Sequence, residues 1–77
     1  MTISLDLPAA QRVSVTVFDL AGRRVRIIAD HVFAAGRHGI TWDGRDAAGA
    51  RLAGGVYFIR VQAPGAMTRT ERIVLLR

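Results

Sequence analysis

Asp43 and Asp46, in the run Trp42-Asp43-Gly44-Arg45-Asp46-Ala47-Ala48-Gly49, are the acid pair best placed to do chemistry in this 77-residue chain. Such a pair could hold a cation or divide the roles of general acid and general base. The spacing argues otherwise. Asp-Gly-Arg-Asp lacks the alternating oxygen ligands of a calcium loop, no Glu follows at the required offset, and Arg45 competes for both carboxylates. The reading that fits is structural. Each Asp caps nearby backbone N–H groups in an Asx-type turn, with Gly44 and Gly49 as turn residues.

The other reactive side chains lead to the same place. His31 and His38 are the only histidines, and two ligands are too few for a structural zinc site. They read as loop histidines on a solvated surface. Ser4 and Ser14 fall on strand positions facing away from the apolar set, and neither lies in a Gly-x-Ser-x-Gly context. Gly22 and Gly54-Gly55 precede no helix start and no Gly-Lys-Ser/Thr, so they read as turn glycines rather than a phosphate cradle. The aromatics Phe18, Phe33, Tyr57 and Phe58 invite a base-stacking reading. A strand through Tyr57-Phe58, however, puts one ring on each face, one in the core and one exposed toward a neighbour. No catalytic residue, metal ligand or cofactor is expected.

The elements that position these residues are strands. Ile3, Leu5 and Leu7 alternate with polar residues up to Pro8, and Val13, Val15 and Val17 do so before Phe18. Asp19 to Arg23 has hairpin chemistry, with Gly22 able to take a positive φ. Alternation resumes at Arg24 and carries a third strand to about Ala29, and 30–36 reads as a connection. Gly36 and Gly39 bracket the entry to a fourth strand, in which Ile40 and Trp42 point the same way. A loop from Asp43 to Gly55 precedes a strongly β-prone run, Val56 to Gln62. Pro64-Gly65 suits a type II turn, and Met67 to Leu76 forms the last strand. No helical stripe of useful length and no internal repeat is apparent. Short strands at near-regular spacing argue for an antiparallel sandwich or barrel.

The expected core takes Leu5 and Leu7 from the first strand, Val13, Val15 and Val17 from the second, and Val25 and Ile27 from the third. Ile40 and Trp42 follow, then Tyr57, Ile59 and Val61, then Ile73 and Leu75. Trp42 should be its centre. Because both faces of the Val56–Gln62 run are apolar, a slip of one residue would exchange Tyr57 for Phe58.

Composition bounds the partners. One domain spanning 1–77 is the most this length allows. An apolar fraction of 51% suffices for a core, and no apolar run reaches the ~20 residues that span a bilayer. There is no cysteine, hence no disulfide and no thiolate metal site. The net charge of +5 rests on eleven Arg and no Lys. A phosphate-binding surface usually mixes both, so nucleic acid is the disfavoured partner. Arg on solvated strand faces that discourages edge-to-edge pairing is the plainer reading.

Five pieces of the chain, in order, resemble one known family. They are Val13 to Val25 with its Phe18-Asp19 turn and Gly22-Arg23, then Gly36-Arg37-His38, then Trp42 to Gly49, then Gly55-Val56-Tyr57-Phe58, and the basic-then-apolar ending Arg72 to Arg77. Together they look like the FlgD-type Ig-like domain and the related C-terminal sorting domains of type IX secretion substrates. The resemblance implies an all-β fold, a small antiparallel Ig-like β-sandwich of about six to seven strands without enzymatic activity. It implies a module at the C-terminal end of a larger exported bacterial protein, extracellular or at the cell surface. Its partners would be that protein's upstream domains, with secretion machinery or filament subunits.

Two roles follow from the resemblance. One is a secretion, sorting or anchoring tail, in which Arg69, Arg72, Val74, Leu76 and Arg77 of the last strand meet the partner. The other is a structural assembly module of the flagellar hook-cap type. In either, Gly22, Trp42, Asp43, Gly44, Asp46, Gly49, Gly55 and Tyr57 serve turns and core. A standalone basic β protein that binds nucleic acid is the third reading. Residues 1–77 show no export signal of their own, and open strand edges allow a homo-oligomer.

Overall fold

The computed structural model describes residues 2–64 and 67–76, with Met67 described by its backbone alone. Its six strands are β1 (Thr2–Leu7), β2 (Gln11–Phe18), β3 (Arg24–Phe33), β4 (Gly36–Thr41), β5 (Gly55–Ala63) and β6 (Met67–Leu75). They form two antiparallel sheets, a four-stranded one ordered β3-β2-β5-β6 and a two-stranded one pairing β1 with β4. The expected all-β sandwich is observed with six strands. The Pro64-Gly65 turn lies partly outside the described residues.

Alternation explains the layering. In β2 the valines at 13, 15 and 17 are fully buried, and in β5 Ile59 and Val61 meet them across the pairing. Ile3, Leu5 and Leu7 come down from β1, with Ile40 on the same face of its partner β4 and Trp42 just beyond that strand. Burying these side chains is the main favourable term, roughly 1.5–3 kcal/mol for each large one. Phe33 and Ala63 also belong to the core, as does Ile3. Tyr57 faces in and Phe58 faces out, half-buried.

β3 departs from the expected pattern in two ways. It runs to Phe33 instead of ending near Ala29, because Gln11 to Val15 continue to offer ladder partners. Its pairing with β2 also shifts register twice. Val15 pairs Ala29 while Thr16 pairs Ile27, which leaves Ile28 unpaired. Val17 pairs Arg26 while Phe18 pairs Arg24, which leaves Val25 unpaired. Each extra residue is a β-bulge, and each bulge inverts the in-out phase beyond it. Ile27, expected in the core, is therefore 46% exposed on the outer face; Val25, also expected there, does pack against the core, joined by Ile28 and Ala29.

Candidate interaction site

The 42–55 segment closes one end of the sandwich, and Trp42 is its anchor. The indole is 3% exposed, stands edge-on to Tyr57 at 5.5 Å between ring centroids, and donates Nε1–H to Arg45 O at 3.0 Å. The Tyr57 hydroxyl donates to Ala53 O at 2.7 Å, which binds the far end of the loop to β5. Buried aromatic rings with polar tips need such acceptors.

Both acids of the loop are engaged within the chain, Asp46 by the loop and Asp43 by the loop and by β3. Asp43 Oδ1 accepts from Arg45 N at 3.0 Å and from Arg26 Nη1 at 2.6 Å. Asp46 Oδ1 accepts from Ala48 N at 3.0 Å and Ala50 N at 2.9 Å. Arg45 turns back to donate Nη1 to Gly49 O. Ala47 N donates to Val25 O, which pins the loop against β3. This geometry stabilises turns, and among the described residues no group of three or more His, Cys, Asp or Glu could hold a metal.

A local motif occurs twice at this end. In Asp19-Leu20-Ala21-Gly22-Arg23, Asp19 N donates to Arg23 O, Gly22 N to Asp19 O, and Arg23 N to Asp19 Oδ1. In Asp46-Ala47-Ala48-Gly49-Ala50 the same three bonds recur, at Asp46 N, Gly49 N and Ala50 N. Gly22 and Gly49 take φ of 85° and 86°. Each is a three-residue reversal whose αL position requires glycine. The sequence signal is Asp-x-Ala-Gly-x in both places, a short recurrence that a search for longer repeats passes over.

The histidines sit on strands rather than loops. His31, on β3, stacks on Phe33 at 4.2 Å. His38, on β4, meets Phe33 edge-on at 5.1 Å and places Nε2 2.7 Å from Ala34 O. They bracket one buried ring. Ser4 is exposed and Ser14 half-buried.

The last strand separates the expected interaction residues into two groups. Arg69 lies opposite Val61 and so faces inward, where its Nη2 donates to Ser4 O of β1 at 2.9 Å. It ties the two sheets together at their open margin. Its Nε sits 3.5 Å from Glu71 Oε1 without hydrogen-bond geometry. Arg72 and Val74 lie opposite Phe58 and Val56 and so face outward, and Leu76 is 86% exposed just beyond the strand. Arg77 lies outside the described residues.

The model of the FlgD Ig-like domain matches residues 1–66. The crystal structure of FlgD from Pseudomonas aeruginosa superposes with a TM-score of 0.72 at 32% identity, covering 96% of this chain and 59% of that one. PorZ, an essential bacterial surface component of the type IX secretion system of Porphyromonas gingivalis, superposes with a TM-score of 0.55 at 27% identity. That match covers 84% of this chain and 8% of PorZ. The chain thus spans less than two thirds of either structure. No curated protein sequence matches it significantly.

Proposed function

This chain belongs to the FlgD Ig-like domain family, and on that footing we propose that it works as a non-catalytic module of an exported bacterial protein. It presents a rigid surface at which a secretion, sorting or anchoring partner reads the outer side of β6. The observation that carries this reading is the fate of the polar groups. Asp43, Asp46, Trp42 and Tyr57 all make hydrogen bonds within the chain, to its loops and, for Asp43, also to Arg26 of β3. On β6, Arg72, Val74 and Leu76 point away from the fold.

Deleting residues 70–77 is a blunt test, since it strips β5 of most of its pairing with β6. Substituting Arg72→Glu and Leu76→Asp leaves the ladder intact, because both side chains are exposed. The experiment follows the native polypeptide carrying this segment, by intact mass, in cells and in medium. Retention of the doubly substituted protein in cells, with export of the parent, is the expected result. Equal export of both removes the β6 reading. A mature external form lacking the segment identifies a cleaved sorting signal.

A structural assembly role of the hook-cap type is the second reading. It is favoured by the FlgD superposition, which is closer and more complete than that on PorZ. It expects an external or filament-bound protein that keeps the segment.

A further inference from the structure

The outer face of the four-stranded sheet carries a pattern that neither the turns nor the core requires. Cross-strand partners share a face, so the ladders place Arg24, Phe18, Phe58 and Arg72 in one row across β3, β2, β5 and β6. The next row holds Ile27, Thr16, Arg60 and Thr70. The Arg60 guanidinium lies 4.8 Å from the centre of the Phe18 ring. Phe18 and Phe58 are half-buried, and Ile27 and Val74 are roughly half exposed.

Among the described residues, charge on this face is uncompensated. Asp30 is paired with Arg12, and Asp19 with Arg23. Glu71 lies opposite Ile59, on the inner face beside Arg69. Among the described residues, Arg24, Arg60 and Arg72 take part in no ion pair. Arginines that guard sheet edges belong on edge strands. Here Arg60, Phe18 and Phe58 sit on the two central strands, in the middle of the face.

We propose that this outer face is a docking surface for an acidic, apolar polypeptide segment, whose carboxylates meet Arg24, Arg60 and Arg72 while its apolar side chains cover Phe18 and Phe58. Aromatic rings and arginine are the residue types that concentrate binding energy at protein interfaces. The field of the three guanidiniums selects carboxylates and steers their approach. Four strands span about 14 Å between outer axes, the width of one helix or a strand pair. Nucleobase stacking fits less well, because Arg60 already covers the face of Phe18 that a base would use. The inference rests on the reading of the chain as a presenting module. Its decisive residues, Arg24 and Arg60, lie off β6, so its failure is separable from failure of the β6 export test.

The test titrates the isotope-labelled 77-residue chain with a synthetic peptide of alternating Glu and Phe/Leu, its Lys-for-Glu counterpart, and a thymidine oligonucleotide. The expected result is amide shift changes at Thr16, Phe18, Phe58, Arg60, Thr70 and Arg72 with the acidic peptide alone. Arg24→Glu with Arg60→Glu should weaken that binding about tenfold or more, since like-charge contact replaces attraction. Arg37→Glu, on β4 of the other sheet, should leave it within about twofold, by additivity of distant sites. Where the charge reversal disturbs folding, Arg24→Gln with Arg60→Gln replaces it and should still weaken binding. Shifts centred on β1 and β4, binding untouched by the substitutions, or no binding at about 1 mM peptide overturns the proposal. Tighter binding of the oligonucleotide overturns it in favour of a nucleic-acid surface.

Discussion

Replacing Trp42 tests the architecture most directly. The indole is almost wholly enclosed, packs edge-on against Tyr57, and holds the loop through Arg45 O. Truncation of a buried Trp to Ala costs about 3–5 kcal/mol, counting lost transfer energy and the cavity left behind. A domain of this length holds only about 4–11 kcal/mol in total. At roughly 4–8 °C per kcal/mol for a domain of this size, Trp42→Ala should lower the melting temperature by more than about 12 °C and bring the domain near unfolding. Trp42→Phe separates the two contributions. It keeps most of the apolar volume and removes the Nε1–H donor, while Arg26 Nη1 still reaches Arg45 O at 3.3 Å. A loss of about 1–2 kcal/mol is expected, mainly the hydrogen bond and a small void. Trp42 is the only tryptophan, so unfolding of the variants must be followed by circular dichroism or calorimetry rather than indole fluorescence. A melting point for Trp42→Ala within about 5 °C of the parent would refute the placement of this ring as the anchor of the loop end.

Two further expectations address the turns and the bulged strand. Asp46→Ala removes the acceptor for Ala48 N and Ala50 N and should cost about 1–2 kcal/mol, with faster hydrogen exchange at both amides. Asp46→Asn keeps an acceptor oxygen and should stay within about 0.5 kcal/mol of the parent, so equal loss in both variants would contradict the capping role. On β3, Ile28→Ala should cost about 1–3 kcal/mol and Ile27→Ala less than about 1, read from denaturant midpoints. The reverse ranking would show that the bulges are misplaced.

Much of the fold is legible along the chain because its strands alternate cleanly. Ile3 to Leu7 and Val13 to Val17 declare both strand and face, and the turn at Asp19 to Arg23 declares its hairpin. What escapes is set by neighbours distant in sequence. Asp30 to Phe33 read as a connection because their own composition is mixed, yet the ladder offered by β2 extends them as strand. The order of Tyr57 and Phe58 cannot be taken from two adjacent rings. It follows from the Tyr57 hydroxyl reaching Ala53 O and from Phe58 lying opposite Phe18. Arg69 reads as a surface cation until β6 is seen opposite β5, which turns it inward to Ser4 O.

The bulges on β3 matter beyond the core. No glycine or proline marks them, and Ile27-Ile28 would satisfy either phase of an alternating pattern. Simple alternation back from Arg26, which lies opposite Val17, would set Val25 opposite Phe18 and turn Arg24 toward the core. The unpaired Val25 moves Arg24 into that place instead. One inserted residue thus removes a cation from the inner side and adds it to the row of Phe18, Phe58 and Arg72. The outer face draws on residues 18, 24, 58, 60 and 72, which no short window of sequence contains. Its charge and apolar character come from register, and register here comes from a device that leaves no mark in residue type. The surface through which this module is proposed to act is accordingly its least legible part, although each residue in it is individually ordinary.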